Sequence, residues 1–223
     1  MQNKPSIDAT FSSSQTGVEV NKVLKNTYML LGLTLLFSAI TASIGMAINL
    51  SHMAGIVCMF GAFGLLFVVN KTADSSKGII AIFAFTGLMG LSLGPMLTYY
   101  MAMAHGPALV LKALGGTAII FFGLSGYALV TRKDFSFMGG FLFVGLLVAV
   151  IASIANIFFQ IPALSLAVSS AIILIMSGLI LFDTSRIIHG GETNYIRATV
   201  SLYLNIYNLF VHLLHLLGVM SND

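Results

Sequence analysis

The feature that most constrains this chain is a series of long apolar runs separated by short polar connections. Six are Thr27–Ile48, Met53–Val69, Gly78–Met103, Pro107–Val130, Phe135–Phe159 and Ala163–Phe182, and a seventh, Ala198–Gly218, is more polar. A helix that crosses a hydrocarbon core of roughly 30 Å needs about 20 predominantly apolar residues. Each run therefore predicts one membrane-spanning helix, and the connections are too short for a soluble domain.

Charge agrees with that reading. Only 8% of the 223 residues are charged and 58% are apolar, whereas a soluble domain carries roughly 25% charged residues. Lipid is the outer solvent. The net charge of +3 is too small and too dispersed to imply a nucleic-acid partner. The single Cys58 lies in an apolar run, which excludes a disulfide framework and a cysteine-based metal site; no cofactor is expected. The first apolar run is longer than a signal-peptide core and lacks a small-residue cleavage site, so it predicts an uncleaved first helix.

The basic residues set the orientation. Lys4, Lys22 and Lys25 precede the first run, Lys71 and Lys77 follow the second, Arg132 and Lys133 the fourth, and Arg186 and Arg197 the sixth. Only Lys112 falls on the other side. The positive-inside rule then places the N-terminus in the cytoplasm and the C-terminus outside. Residues 1–25 are polar and rich in Ser and Thr, which predicts a disordered cytoplasmic tail ahead of a membrane domain at 26–223.

Small residues recur in the third run (Gly87, Gly90, Gly94) and in the fourth (Gly115, Gly116, Gly123, Gly126). In lipid such residues let helix backbones approach closely, and close helix contact is what they predict. Pro95 in the third run predicts a kink, serving as a hinge or simply as a fit.

In the last run Ser201, Asn205, Asn208, His212 and His215 recur at steps of 4, 3, 4 and 3. At about 100° per residue they form one polar stripe. A helix lying on the membrane surface would present Lys or Arg there; this stripe has none and suits a helix enclosed by others. The histidines either hydrogen-bond neighbouring helices or sense protons near neutrality.

Asp183 ends the sixth run, with Arg186 and His189 following at three-residue steps before Gly190. Counted from Asn194, Asp183 and Asn205 are each 11 residues away, so an antiparallel hairpin puts them at similar depth. A carboxylate in or near hydrocarbon is a functional candidate by default. Two kinds of role stay open for it: pairing with Arg186 or a place at a helix end, or a proton-sensitive gate formed with Asn205, Arg186 and His189.

FDTSRIIHGGETNYIRATVSLYLNIYNLFVHLLHLLG (Phe182–Gly218) resembles the C-terminal signature of the Bax inhibitor-1 family. KVLKNTYMLLGLTLLFSAITA (Lys22–Ala42), FAFTGLMGLSLGPML (Phe83–Leu97) and ALGGTAIIFF (Ala113–Phe122) extend that resemblance, within the family, to its bacterial YccA-like branch. The resemblance implies an all-α integral membrane protein in which a semi-polar seventh helix is enclosed by the other six. Some bacterial relatives are described as pH-sensitive calcium leaks with paired carboxylates on helices six and seven; Asp183 matches the first and Asn205 stands at the second. The branch itself implies an inner-membrane partner and modulator of the membrane-anchored AAA protease FtsH, not itself an enzyme. A disordered tail of up to about 90 Å is long enough to enter a neighbouring ATPase pore.

One enzyme motif needs weighing. Gly123-Leu124-Ser125-Gly126 has the form found at the nucleophile of rhomboid intramembrane proteases, with His212 and His215 as conceivable bases. A nucleophilic serine needs a base within hydrogen-bond reach. The helix directions put Ser125 and His212 at opposite depths, on the order of 10 Å or more apart, so serine proteolysis is not expected.

Overall fold

The computed structural model describes residues 7–221, with side chains from residue 18 onward. Seven helices run in order: α1 Ile7–Ala47, α2 His52–Thr72, α3 Lys77–Met101, α4 Gly106–Thr131, α5 Gly139–Phe159, α6 Pro162–Ile188 and α7 Tyr195–Met220, with a 3-10 turn Ser136–Met138 leading into α5. Among the described residues there is no strand. All seven are long and apolar enough to span a membrane, α1 through its segment Val18–Ala47.

Local chemistry sets the ends. The Ser51 hydroxyl accepts the N–H of Ala54 and caps α2, and Pro107 and Pro162 occupy first-turn positions where no N–H is needed. α1 begins at Ile7, inside the stretch whose composition predicts a disordered tail; residues 1–6 lie outside the described residues. Once a helix is nucleated, adding turns costs little, and the apolar run supplies the nucleus. α6 passes beyond Phe182, where its apolar run ends, to Ile188. It closes with Gly190 at φ +73°, the Gly190 N–H donating to Ile187 O (3.2 Å) and the Gly191 N–H to Arg186 O (2.8 Å). These two bonds form a Schellman motif that satisfies the last carbonyls.

The bundle is closest where α1 crosses α3. A Cβ at Gly94 would sit 2.8 Å from the Gly45 backbone, and one at Gly87 would sit 2.9 Å from the Phe37 ring. Gly90 likewise lies against Thr41 and the Ser38 backbone. The third-helix glycines are thus contact points. The fourth-helix glycines differ: Gly115, Gly123 and Gly126 face open space, and only Gly116 meets a neighbour, Leu213 at 3.6 Å. The close contact expected of all seven glycines holds for α3 and fails for most of α4, whose outer face is left to lipid. α3 continues as helix through Pro95, whose ring packs against Gly55 of α2.

α7 packs against α1, α2, α3, α4 and α6, while α5 reaches only α6 and the 3-10 turn. Five of the six helices expected around α7 thus contact it, and α5 does not. α3 is the most buried span, followed by α7. Steric need explains this order: α3 carries the glycines at which α1 closes in.

Candidate functional site

The site is best built from α7 outward, because its polar residues reach three neighbours, α1, α3 and α6. On one face Tyr203 Oη lies 2.7 Å from Ser38 Oγ of α1, and Tyr207 Oη lies 3.1 Å from Ser92 Oγ of α3. Thr199 donates to Tyr195 O and reaches Thr27 O at 3.3 Å. On the other face α7 meets α6. Asn205 Nδ2 donates to Asp183 Oδ2 at 2.7 Å, His212 Nδ1 lies 3.2 Å from Ser169 Oγ, and His215 Nε2 lies 2.9 Å from Ser165 Oγ. The other ring nitrogen of His215 reaches Tyr100 Oη of α3 at 3.3 Å. Buried polar groups in a low-dielectric interior need such partners, and the serines that supply them come from α6 at a helical spacing.

The carboxylate of Asp183 therefore faces Asn205, not Arg186. The Arg186 guanidinium lies over the Phe182 ring at 5.5 Å and donates to Gly191 O. Among the described residues the ion pair within 4 Å is Arg197–Asp74, at 3.0 Å. Of the two roles left open for Asp183, pairing with Arg186 is not the one formed. His189 is the C-cap of α6, its Nδ1–H donating to Ser185 O at 2.8 Å. Asp183 and Asn205 are brought together; Arg186 turns to Gly191 in the connection that follows α6, and His189 bonds back to Ser185 of its own helix.

The rest of the stripe is uneven. Asn208 Nδ2 donates to Leu204 O of its own helix, and Ser201 is half-buried. Toward the other end a cavity of about 250 Å³ opens between α5, α6 and α7, lined by Ser153, Asn156, Ser165, Ser169, His212 and His215 among others. Its polar lining carries no formal acid or base other than the two histidines.

Sequence reasoning missed three features. Tyr28, Ser125 and Thr184 form a hydroxyl cluster joining α1, α4 and α6; single hydroxyls in three distant runs carry no periodic signal. Ser125, the serine of the protease-like motif, bonds these hydroxyls, and His212 bonds Ser169 instead. The second feature is Asn194. Its side-chain oxygen caps α7 by accepting the N–H groups of Ile196 and Arg197, and its amide donates to Ala73 O and to Asp74 Oδ1. An asparagine just before a helix was the available signal. The third is Ser185, which accepts the Phe135 N–H and donates to Lys133 O, so the α4–α5 connection is pinned to α6.

Together these features define a polytopic, all-helical membrane protein whose last helix is held to its neighbours by side-chain hydrogen bonds. Residues 20–222 match the family model described as inhibitor of apoptosis-promoting Bax1, and the chain belongs to that family. It is 54% identical over 206 residues to the Escherichia coli K12 protein named modulator of FtsH protease YccA, covering 92% of this chain and 94% of that one. A Vibrio cholerae membrane protein is 51% identical over 222 residues, with 99% of each chain covered. An Escherichia coli O6:H1 relative, 54% identical, is named inner membrane protein YccA. The chain is a multi-pass inner-membrane protein.

Proposed function

We propose that this protein is an inner-membrane partner and modulator of the membrane-anchored AAA protease FtsH, altering its proteolysis of membrane proteins. One observation carries the reading: 54% identity over 92% of this chain and 94% of the relative to a protein named for that role. The positive-inside rule puts the N-terminus in the cytoplasm, on the side where an ATPase ring works. The tail competes for the protease's entrance, and membrane proteins already engaged are released or spared.

The test is deletion of residues 2–20 in cells that carry FtsH. The expected result is an altered lifetime of this protein, or of a membrane substrate of the protease, with insertion unchanged. Unchanged lifetimes for both reject the tail's role. Asp183 facing an amide in place of a second carboxylate gives no support to a proton-gated calcium leak, and no such activity is proposed.

A further inference from the structure

α4 and α5 are consecutive in sequence, yet among the described residues no Cα of one comes within 8 Å of the other, and both pack on α6. α6 meets α5 through Gly178, set against Leu142, and through Phe182, set against Gly139. It meets α4 through Thr184, 3.3 Å from Ser125. At about 100° per residue, Ser170, Leu174 and Leu181 fall in the sector between those two contacts. Leu174 is 73% exposed and Ser170 is exposed as well. A groove floored by α6 thus runs between α4 and α5, open to lipid.

The α4–α5 connection crosses one end of this groove and is fixed there by the two bonds of Ser185. It carries Arg132 and Lys133, both exposed. The Lys133 ammonium lies 3.3 Å from Tyr127 Oη and 5.9 Å over its ring, an aromatic–cation pair at the depth where membrane proteins place interfacial anchors. Val130 and Phe137, which flank the two basic residues, are 84% and 82% exposed. The one carboxylate of the connection, Asp134, is engaged locally: Ser136, through its hydroxyl and its backbone N–H at 2.8 Å, holds it below the usual carboxylate range. From Ser185 to Leu174 the groove runs about 16 Å at 1.5 Å per residue, close to half the hydrocarbon thickness and hence to the depth of one acyl chain.

We propose that this groove seats a phospholipid with an anionic headgroup, its charge against Arg132 and Lys133 and an acyl chain along Leu181 and Leu174. The basic pair selects the headgroup, and the gap between α4 and α5 holds the chain.

The chain contains no tryptophan, so a single introduced one reports its own surroundings. Leu181→Trp and, separately, Leu174→Trp would be reconstituted in full-length protein into phosphatidylcholine vesicles containing a small fraction of brominated phosphatidylglycerol or of brominated phosphatidylcholine. Phe67→Trp, on the lipid-exposed face of α2, is the reference. The expected result is stronger quenching by the anionic lipid at 181 or 174 than at 67. The enrichment should be on the order of fivefold per basic side chain, the surface value for one Lys or Arg, and should be lost in Arg132→Gln/Lys133→Gln. Both substitutions are at exposed positions. Equal quenching by the two lipids at both groove positions, the same preference at 67, or a preference unchanged in the double variant would each overturn the proposal.

Discussion

Asn205 donates to Asp183 across the α6–α7 interface at 2.7 Å, with Asn205 only 5% exposed. The pair closes the question raised by a carboxylate at the end of an apolar run: its charge is met by an amide from the next helix. A hydrogen bond to a charged group is among the stronger ones, and removing one partner leaves the other unsatisfied at a cost of about 1–3 kcal/mol. Asn205→Ala is therefore expected to destabilise the purified protein by that order. Asp183→Asn, which keeps an acceptor for the same donor, is expected to cost less. Thermal melting of both variants in one detergent checks the order; equal losses would mean the charge itself matters more than the bond.

The two sets of glycines should respond in opposite ways. A methyl at Gly94 meets the Gly45 backbone, which has no flexible end to yield, and overpacking of this kind costs about 1–3 kcal/mol. Gly123 faces open space, and Gly123→Ala exchanges the poorer helix former for the better. Gly94→Ala is expected to lower the melting temperature and Gly123→Ala to leave it unchanged or raise it. A loss at Gly123 equal to that at Gly94 would place an unseen neighbour on α4.

Asn194 is expected to matter more than the ion pair beside it. Arg197 and Asp74 have side chains 42% and 76% exposed, and exposed pairs contribute roughly 0–1 kcal/mol. Asn194 caps α7 and also bonds Ala73 O and Asp74 from the α2–α3 connection; losing a cap alone costs about 1 kcal/mol. Asn194→Ala should destabilise more than Arg197→Ala, and should increase proteolytic nicking between α6 and α7. The reverse order would assign the clasp to the charges.

Ser125→Ala separates a structural hydroxyl from a nucleophile. The Tyr28–Ser125–Thr184 cluster predicts a modest loss of stability, on the order of 1 kcal/mol for one hydrogen bond. It also predicts no change in the protein's effect on turnover of a membrane substrate by the protease. Loss of that effect with stability intact would reopen the enzyme reading.

Much of the architecture was legible because lipid leaves a simple signal. Each span shows as an apolar run, and the ends differ mainly where side-chain bonds extend a helix, as at Asp183–Arg186, or where a helix continues into a polar stretch, as at residues 7–25 of α1. The equal spacing of Asp183 and Asn205 about Asn194 placed them at similar depth, and that they face each other was implied only by the family resemblance. Which neighbour each stripe residue finds was not legible: His212 and His215 pair with Ser169 and Ser165, serines that look like ordinary small residues within α6. Nor could the sequence tell that α3 glycines touch α1 while most α4 glycines face open space, since a small residue in a span reads the same in both places and only the tertiary arrangement separates them. That α5 packs on α6 without contacting α7 was hidden for the same reason.

The most direct measurement for the central reading is in-cell crosslinking of the tagged full-length protein in its native membrane, mild-detergent purification, and mass spectrometry of what is recovered. Recovery of FtsH well above that with an unrelated seven-span protein at matched expression is the predicted result. FtsH at the level of that reference protein, with the tagged chain intact and inserted, would contradict it.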